Sequence, residues 1–195
     1  MTLFQLLMLG ASAFFAYKIY EHIQTLQDPT ENQGDRSADA FSTFDASALI
    51  QSGDEAMQKG DYQKALAIYS EVNIKSPKDA DTLFKMGYAL MQQERNDEAI
   101  EYYKEALELD PNSTAIHQAM ASLYRKMGEF ASAKNHLNAS LELDDKNPIT
   151  YYNYGNLLVD MKHFDEAKEM YKKALELDAD FTEAKEELEK LEEQQ

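Results

Sequence analysis

An all-helical fold assembled from repeats is predicted by three features of the sequence. Helix-breaking residues are scarce, a residue pattern returns every 34 positions, and a charged amphipathic stretch closes the array. Glycine and proline number only 7 and 4, whereas Ala, Leu, Glu, Lys and Met are plentiful. Straight-chain residues lose little rotamer freedom in a helix, so the mix favours helix over sheet. A hydrophobic fraction of 44% is enough for a packed core and separates the chain from disordered sequences.

The first element, residues 1–27, reads as a membrane anchor. From Leu3 to Tyr20 the run LFQLLMLGASAFFAYKIY has only Gln5, Ser12 and Lys18 as clearly polar members. Wound as a helix it would extend roughly 27 Å, close to the hydrocarbon thickness of a bilayer. Its apolar residues surround the helix, where a surface helix would show a stripe. Lys18 can snorkel to the headgroups, with Tyr17 and Tyr20 beside it as interfacial aromatics. Ala11-Ser12-Ala13 resembles a signal-peptidase site, but no basic residue precedes the apolar run, and the run continues past Ala13. A soluble helix docked on the rest of the chain is the other alternative. Lys18 and Arg36 lie on the carboxyl-terminal side of the segment and no Lys or Arg precedes it, which favours a cytoplasmic location for the remainder of the chain. A bacterial inner membrane is the expected site; a mitochondrial outer membrane would leave the same signature.

Residues 28–45 form the second element. The stretch DPTENQGDRSADAFSTF has Pro29, Gly34, several acids and no apolar period, and it reads as a polar linker. Phe41 and Phe44 could cover the first repeat.

The third element is the repeat. Gly53, Gly87, Ala121 and Gly155 stand 34 residues apart, as do Ala65, Ala99, Ala133 and Ala167. Tyr69, Tyr103, Leu137 and Tyr171 keep the same interval, and so do Val72, Ala106, Ser140 and Ala174. Small residues at the first set let two helices of a unit approach closely, and the aromatics of the third set fill the space this creates. Turns between the helices of a unit are expected at Lys59–Asp61, Arg95–Asp97, Met127–Glu129 and Lys162–Phe164. Asp110–Asn112 and Asn147-Pro148 mark turns between units, where proline cannot continue a helix.

This pattern resembles the tetratricopeptide repeat, W-x2-L-G-x2-Y followed by A-x3-F and a closing proline. Four units, 46–79, 80–113, 114–147 and 148–181, cover about 136 residues. The second shows the resemblance best, with Leu83, Met86, Gly87, Leu90, Ala99, Tyr103, Ala106 and Pro111. The closing proline recurs as Pro77 but becomes Asp145 and Ala179 in the last two units. Leu49, Leu83, His117 and Tyr151 stand where the pattern has tryptophan. The resemblance implies a right-handed α-solenoid of four helix pairs. Each pair buries its apolar face only by stacking on the next.

The last element, 182–195, carries Ala184, Leu188 and Leu191 at helical spacing on an otherwise charged stretch. One narrow apolar stripe suits a helix that caps an open stack. A dimerising coiled coil is the alternative, but sustained heptads are absent.

Charge and residue content exclude several functions. With 36 acidic and 19 basic side chains the net charge is −17, a field that repels nucleic-acid phosphates. No cysteine is present, so disulfides, thiolate metal sites and cysteine nucleophiles are excluded. Of His22, His117, His136 and His163, no two have the one-turn spacing of a helical metal site. No phosphate loop, nucleophile elbow or HExxH motif appears. The expectation is a non-enzyme with no catalytic residue, cofactor, metal or small-molecule substrate.

In proteins of the resembled family the first helices of successive units line a concave surface that holds a peptide or a helix. By register, the resemblance places Phe84, Lys85, Tyr88, Gln118, Ser122, Arg125, Tyr152, Asn153 and Asn156 on that surface. Ile50, Asp54, Met57, Met91 and Val159 join them, although Phe84, Tyr88 and Tyr152 could equally complete packing between units. Some family members grip the carboxyl-terminal tail of a chaperone with Lys and Asn in the first unit. Here Ile50 and Asp54 stand at those places, and Asp54 would repel a carboxylate. The expected function is a membrane-tethered scaffold or assembly factor that binds protein partners. An exported soluble assembly factor with a cleaved amino terminus, and a regulatory subunit of an enzyme complex, are the alternatives.

Overall fold

The computed structural model describes residues 45–193. The predicted anchor, and all of the predicted linker except Asp45, lie outside them. All regular structure among the described residues is helical, in four hairpins followed by a single helix. The first helices of the hairpins are α1 (Ala46–Gln58), α3 (Ala80–Gln92), α5 (Thr114–Lys126) and α7 (Pro148–Asp160). The second helices are α2 (Tyr62–Lys75), α4 (Asn96–Leu109), α6 (Phe130–Leu143) and α8 (Phe164–Leu177). The last helix is α9 (Thr182–Glu193).

Side chains at the helix starts explain where the chain turns into helix. Asp45, Asp79, Ser113 and Asn147 precede the first helices and accept from backbone N–H groups of the opening turn. Each such cap is worth about 1 kcal/mol against alanine. Asp61 caps α2 in the same way, whereas Arg95, Glu129 and His163 start their helices without a side-chain cap.

The turns inside the hairpins share one backbone solution, a left-handed residue at the same register in every unit. Gly60, Glu94, Gly128 and Lys162 take φ of +74°, +61°, +78° and +62°. The second turn therefore centres on Glu94, not on Arg95–Asp97 as the sequence suggests, and Asn96 and Asp97 already belong to α4. Likewise Phe164 opens α8. No glycine marks these two turns, so their position follows from the 34-residue register and not from turn chemistry.

Packing inside each hairpin follows from the small-residue series. A Cβ added at Gly53, Gly87 or Gly155 would fall 2.4, 2.6 or 2.4 Å from Cε1 of Tyr69, Tyr103 or Tyr171. The three rings are fully buried and lie where any larger residue would collide with them. In the third unit Ala121 and Leu137 share a core cluster instead, an alanine set against a slimmer side chain. Between hairpins, each second helix packs on the next first helix, and α9 closes the series against α8. First helices of successive units also touch directly, α3 with α5 and α5 with α7. That places them in the tighter, inner layer. Leu191 and Ala184 of α9 are buried, and Leu188 packs beside them against Leu158 and Tyr171. The stacked side chains bury one face of every helix, which no single hairpin could do alone.

Candidate partner-binding surface

The inner layer carries the residues that the register singles out, and neighbouring units join there in different ways. Between the first and second units the contact is ionic. Lys85 Nζ lies 3.0 Å from Asp54 and 3.2 Å from Asp81, and Asp54 also accepts from the Tyr69 hydroxyl at 2.7 Å. Burial works against the Lys85 ammonium, but the two carboxylates outweigh it and hold its pKa above the usual lysine range. The Tyr69 phenol is pushed up by burial and then by its bond to Asp54.

Between the third and fourth units the links are hydrogen bonds and an ion pair. Gln118 donates to the Thr150 hydroxyl at 2.7 Å, and Thr150 lies 3.0 Å from the Ser140 hydroxyl. Ser140 and Thr150 are fully buried, so the trio satisfies polar groups that would otherwise be costly inside. Arg125 reaches Asp160 at 2.8 Å. In the last unit Asn156 accepts from the Tyr171 hydroxyl at 2.8 Å. Tyr152 packs between Tyr171 and Phe181, with ring centroids 6.0 and 5.1 Å away.

The register residues are therefore not equivalent. Phe84, Lys85 and Tyr88 converge with Asp54, Met57, Gln58 and Tyr69 around a mainly apolar cavity of about 260 Å³. Tyr88 is 39% exposed there, while Phe84 is half-buried against Tyr103, 5.7 Å between centroids. Gln118 and Arg125 are tied to the next unit, and Asn156 and Tyr152 to their own. Ser122 and Asn153 are half-buried on the same inner layer. Ile50 is half-buried on α1; Met91 and Val159 pack against core clusters.

Gln58 and Tyr69 were not legible as parts of this cavity, because Tyr69 comes from a second helix and reaches across. A search for one-turn histidine pairs also misses the contact between His117 and His136, whose Nδ1 atoms lie 3.0 Å apart across α5 and α6. The Tyr124 ring stacks on His136 at 5.5 Å. His117 also bonds the Pro111 backbone, and of two neutral imidazoles one donates across the Nδ1 contact while the other accepts. Burial lowers the pKa of both imidazoles, and His117 adds to the effect on His136. The repeat register could have located this pair, since Leu83 and Tyr102 of the second unit occupy the same two places and share a cluster. Among the described residues no three His, Asp or Glu side chains gather as a metal site.

Tetratricopeptide repeat profiles match residues 56–123 and 90–148, and a further tetratricopeptide repeat profile matches 149–181. The chain belongs to the tetratricopeptide repeat family. No curated protein matches it in sequence. Among solved structures this tetratricopeptide protein is similar to MamA, at 27% identity and a TM-score of 0.62, covering 72% of this chain and 82% of that one. It is also similar to the first tetratricopeptide domain of Spaghetti (RPAP3) bound to the HSP90 peptide SRMEEVD. That match has 29% identity and a TM-score of 0.55, over 58% of this chain and 90% of the other. PilF of Pseudomonas aeruginosa shares the fold at 21% identity and a TM-score of 0.68, over 75% and 67% of the two chains. Proteins of this family generally mediate protein–protein interactions.

Proposed function

We propose that this tetratricopeptide protein is a membrane-tethered scaffold that holds a segment of a partner protein along the inner layer of its first helices. The observation that carries the reading is the cavity bounded by Met57, Phe84 and Tyr88. Its volume of about 260 Å³ falls below the roughly 300–1,000 Å³ common for small-molecule sites. It suits a single apolar side chain of a bound segment. Aromatic walls supply contact area at little entropic cost.

The charge arrangement narrows the partner. Lys85 is neutralised by Asp54 and Asp81, and Arg125 by Asp160. An acidic tail of the kind bound by the Spaghetti domain would have to displace these pairs against a net charge of −17. A segment with one apolar anchor and a neutral or basic flank is the better complement. Tethering rests on the apolar run Leu3–Tyr20, and a cytoplasmic repeat domain on Lys18 and Arg36. Among the described residues no helix is long and apolar enough to cross a membrane.

Two measurements test this. Full-length protein is expected to stay with membranes through alkaline extraction; recovery in the soluble fraction with an intact amino terminus would end the tether. Partner recovery by full-length bait is expected to fall on Tyr88→Ala, a substitution at an exposed ring. Equal recovery by both baits would move binding to another face.

A further inference from the structure

In three of the four units the second helix brings a tyrosine to the inner layer, and the residue fifteen positions earlier decides what its hydroxyl meets. Tyr69 donates to Asp54 and Tyr171 to Asn156. In the third unit Leu137 has no hydroxyl to satisfy. Only the second unit breaks the rule: Tyr103 is fully buried, its hydroxyl has no hydrogen-bond partner, and the position fifteen earlier is Tyr88. The Tyr88 ring turns outward and is 39% exposed. It lies close enough to add to the upward shift that burial causes at Tyr103.

An orphaned buried hydroxyl costs free energy that a phenylalanine of the same shape would not. Packing against Gly87 needs only the ring, since the ring carbons Cε1 and Cδ1 are the atoms nearest an added Cβ. The hydroxyl is thus left over from the fold, and by the register of Tyr69 with Asp54 and Tyr171 with Asn156 it belongs beside Tyr88 of the candidate surface.

We infer that Tyr103 is a hydrogen-bond donor for the bound partner segment, satisfied by a neutral amide carbonyl that enters when the Tyr88 ring swings aside. This rests on the inner-layer binding proposed above and names the contact at its centre. A carbonyl fits better than a carboxylate, because Asp54 and Asp81 stand at the neighbouring step and the whole chain is acidic. Rotation of an exposed side chain is fast and requires no movement of the helices.

The probe is a random peptide display library panned on full-length protein. Peptides enriched on the wild type and lost on Tyr88→Ala report the inner layer; if none emerge, the binding reading and this inference fall together. The retained peptides are then titrated against Tyr103→Phe. Loss of one hydrogen bond is expected to weaken them about three- to tenfold, while the free variant melts at or above the wild-type temperature. Unchanged affinity overturns the role of the hydroxyl and leaves inner-layer binding standing. A lowered melting temperature also overturns it, since the hydroxyl would then have a partner within the fold. Replacing Asn and Gln of the peptide by Ala identifies the carbonyl. A Tyr103→Phe effect that survives belongs to the peptide backbone, and one that vanishes to a carboxamide.

Discussion

Replacing Gly87 by alanine sets two effects against each other. An added Cβ would lie 2.6 Å from Tyr103 Cε1, 2.7 Å from Cδ1 and 3.2 Å from the Ala99 carbonyl oxygen. Carbon–carbon contacts settle near 3.5–4.0 Å, so the ring must retreat by roughly 1 Å. Tyr103 has no exposed surface to retreat towards. Overpacking of this kind costs about 1–3 kcal/mol, whereas removing a glycine from a helix interior returns about 1 kcal/mol. Gly87→Ala is expected to lose up to about 2 kcal/mol of stability. Tyr103→Leu alone opens a void and is expected to cost about 2–3 kcal/mol. The third unit shows what the two changes make together: Ala121 and Leu137 hold the same places at 2% and 1% exposure. The double variant is therefore expected to be no less stable than Tyr103→Leu, with a coupling of about 1–2 kcal/mol. Urea unfolding of the four proteins, followed by far-ultraviolet circular dichroism, measures the cycle. Additive losses, or a Gly87→Ala protein more stable than wild type, would refute the account of close approach.

The histidine pair and the backbone give two more expected outcomes. Both imidazoles have folded-state pKa values below the ordinary 6.5, so at acid pH the unfolded chain binds more protons than the folded one. Stability is expected to rise with pH on the acid side of 6.5 and to level off above it, and a His117→Gln, His136→Gln protein should flatten that slope in melting experiments from acid to neutral pH. Lys162 occupies the left-handed turn position that glycine fills at Gly60 and Gly128. Lys162→Gly is expected to stabilise by about 0.5–1 kcal/mol in urea titrations; destabilisation would show that the lysine side chain contributes more than its backbone strain costs.

The sequence by itself determined the helical repeat. The pairs that build a hairpin, Gly53 with Tyr69 or Gly87 with Tyr103, are sixteen residues apart and recur with the period. A spacing pattern therefore encodes the contact directly. Turn positions were less legible where Glu94 and Lys162 adopt a glycine-like conformation, because that conformation is imposed by the helices on either side. On the inner layer the register identified which positions face inward but not what each one meets. Asp54 with Lys85, Gln118 with Thr150 and Arg125 with Asp160 join residues 31, 32 and 35 apart. Those contacts cross from one unit to the next, where side-chain reach and charge vary while the backbone repeats. Only the tertiary structure could decide that Lys85 and Arg125 are already paired, that Tyr88 stands open, and that the Tyr103 hydroxyl is left without an acceptor. A period specifies positions. Which polar groups find partners depends on atoms brought together by stacking, and these differ at every step of the array.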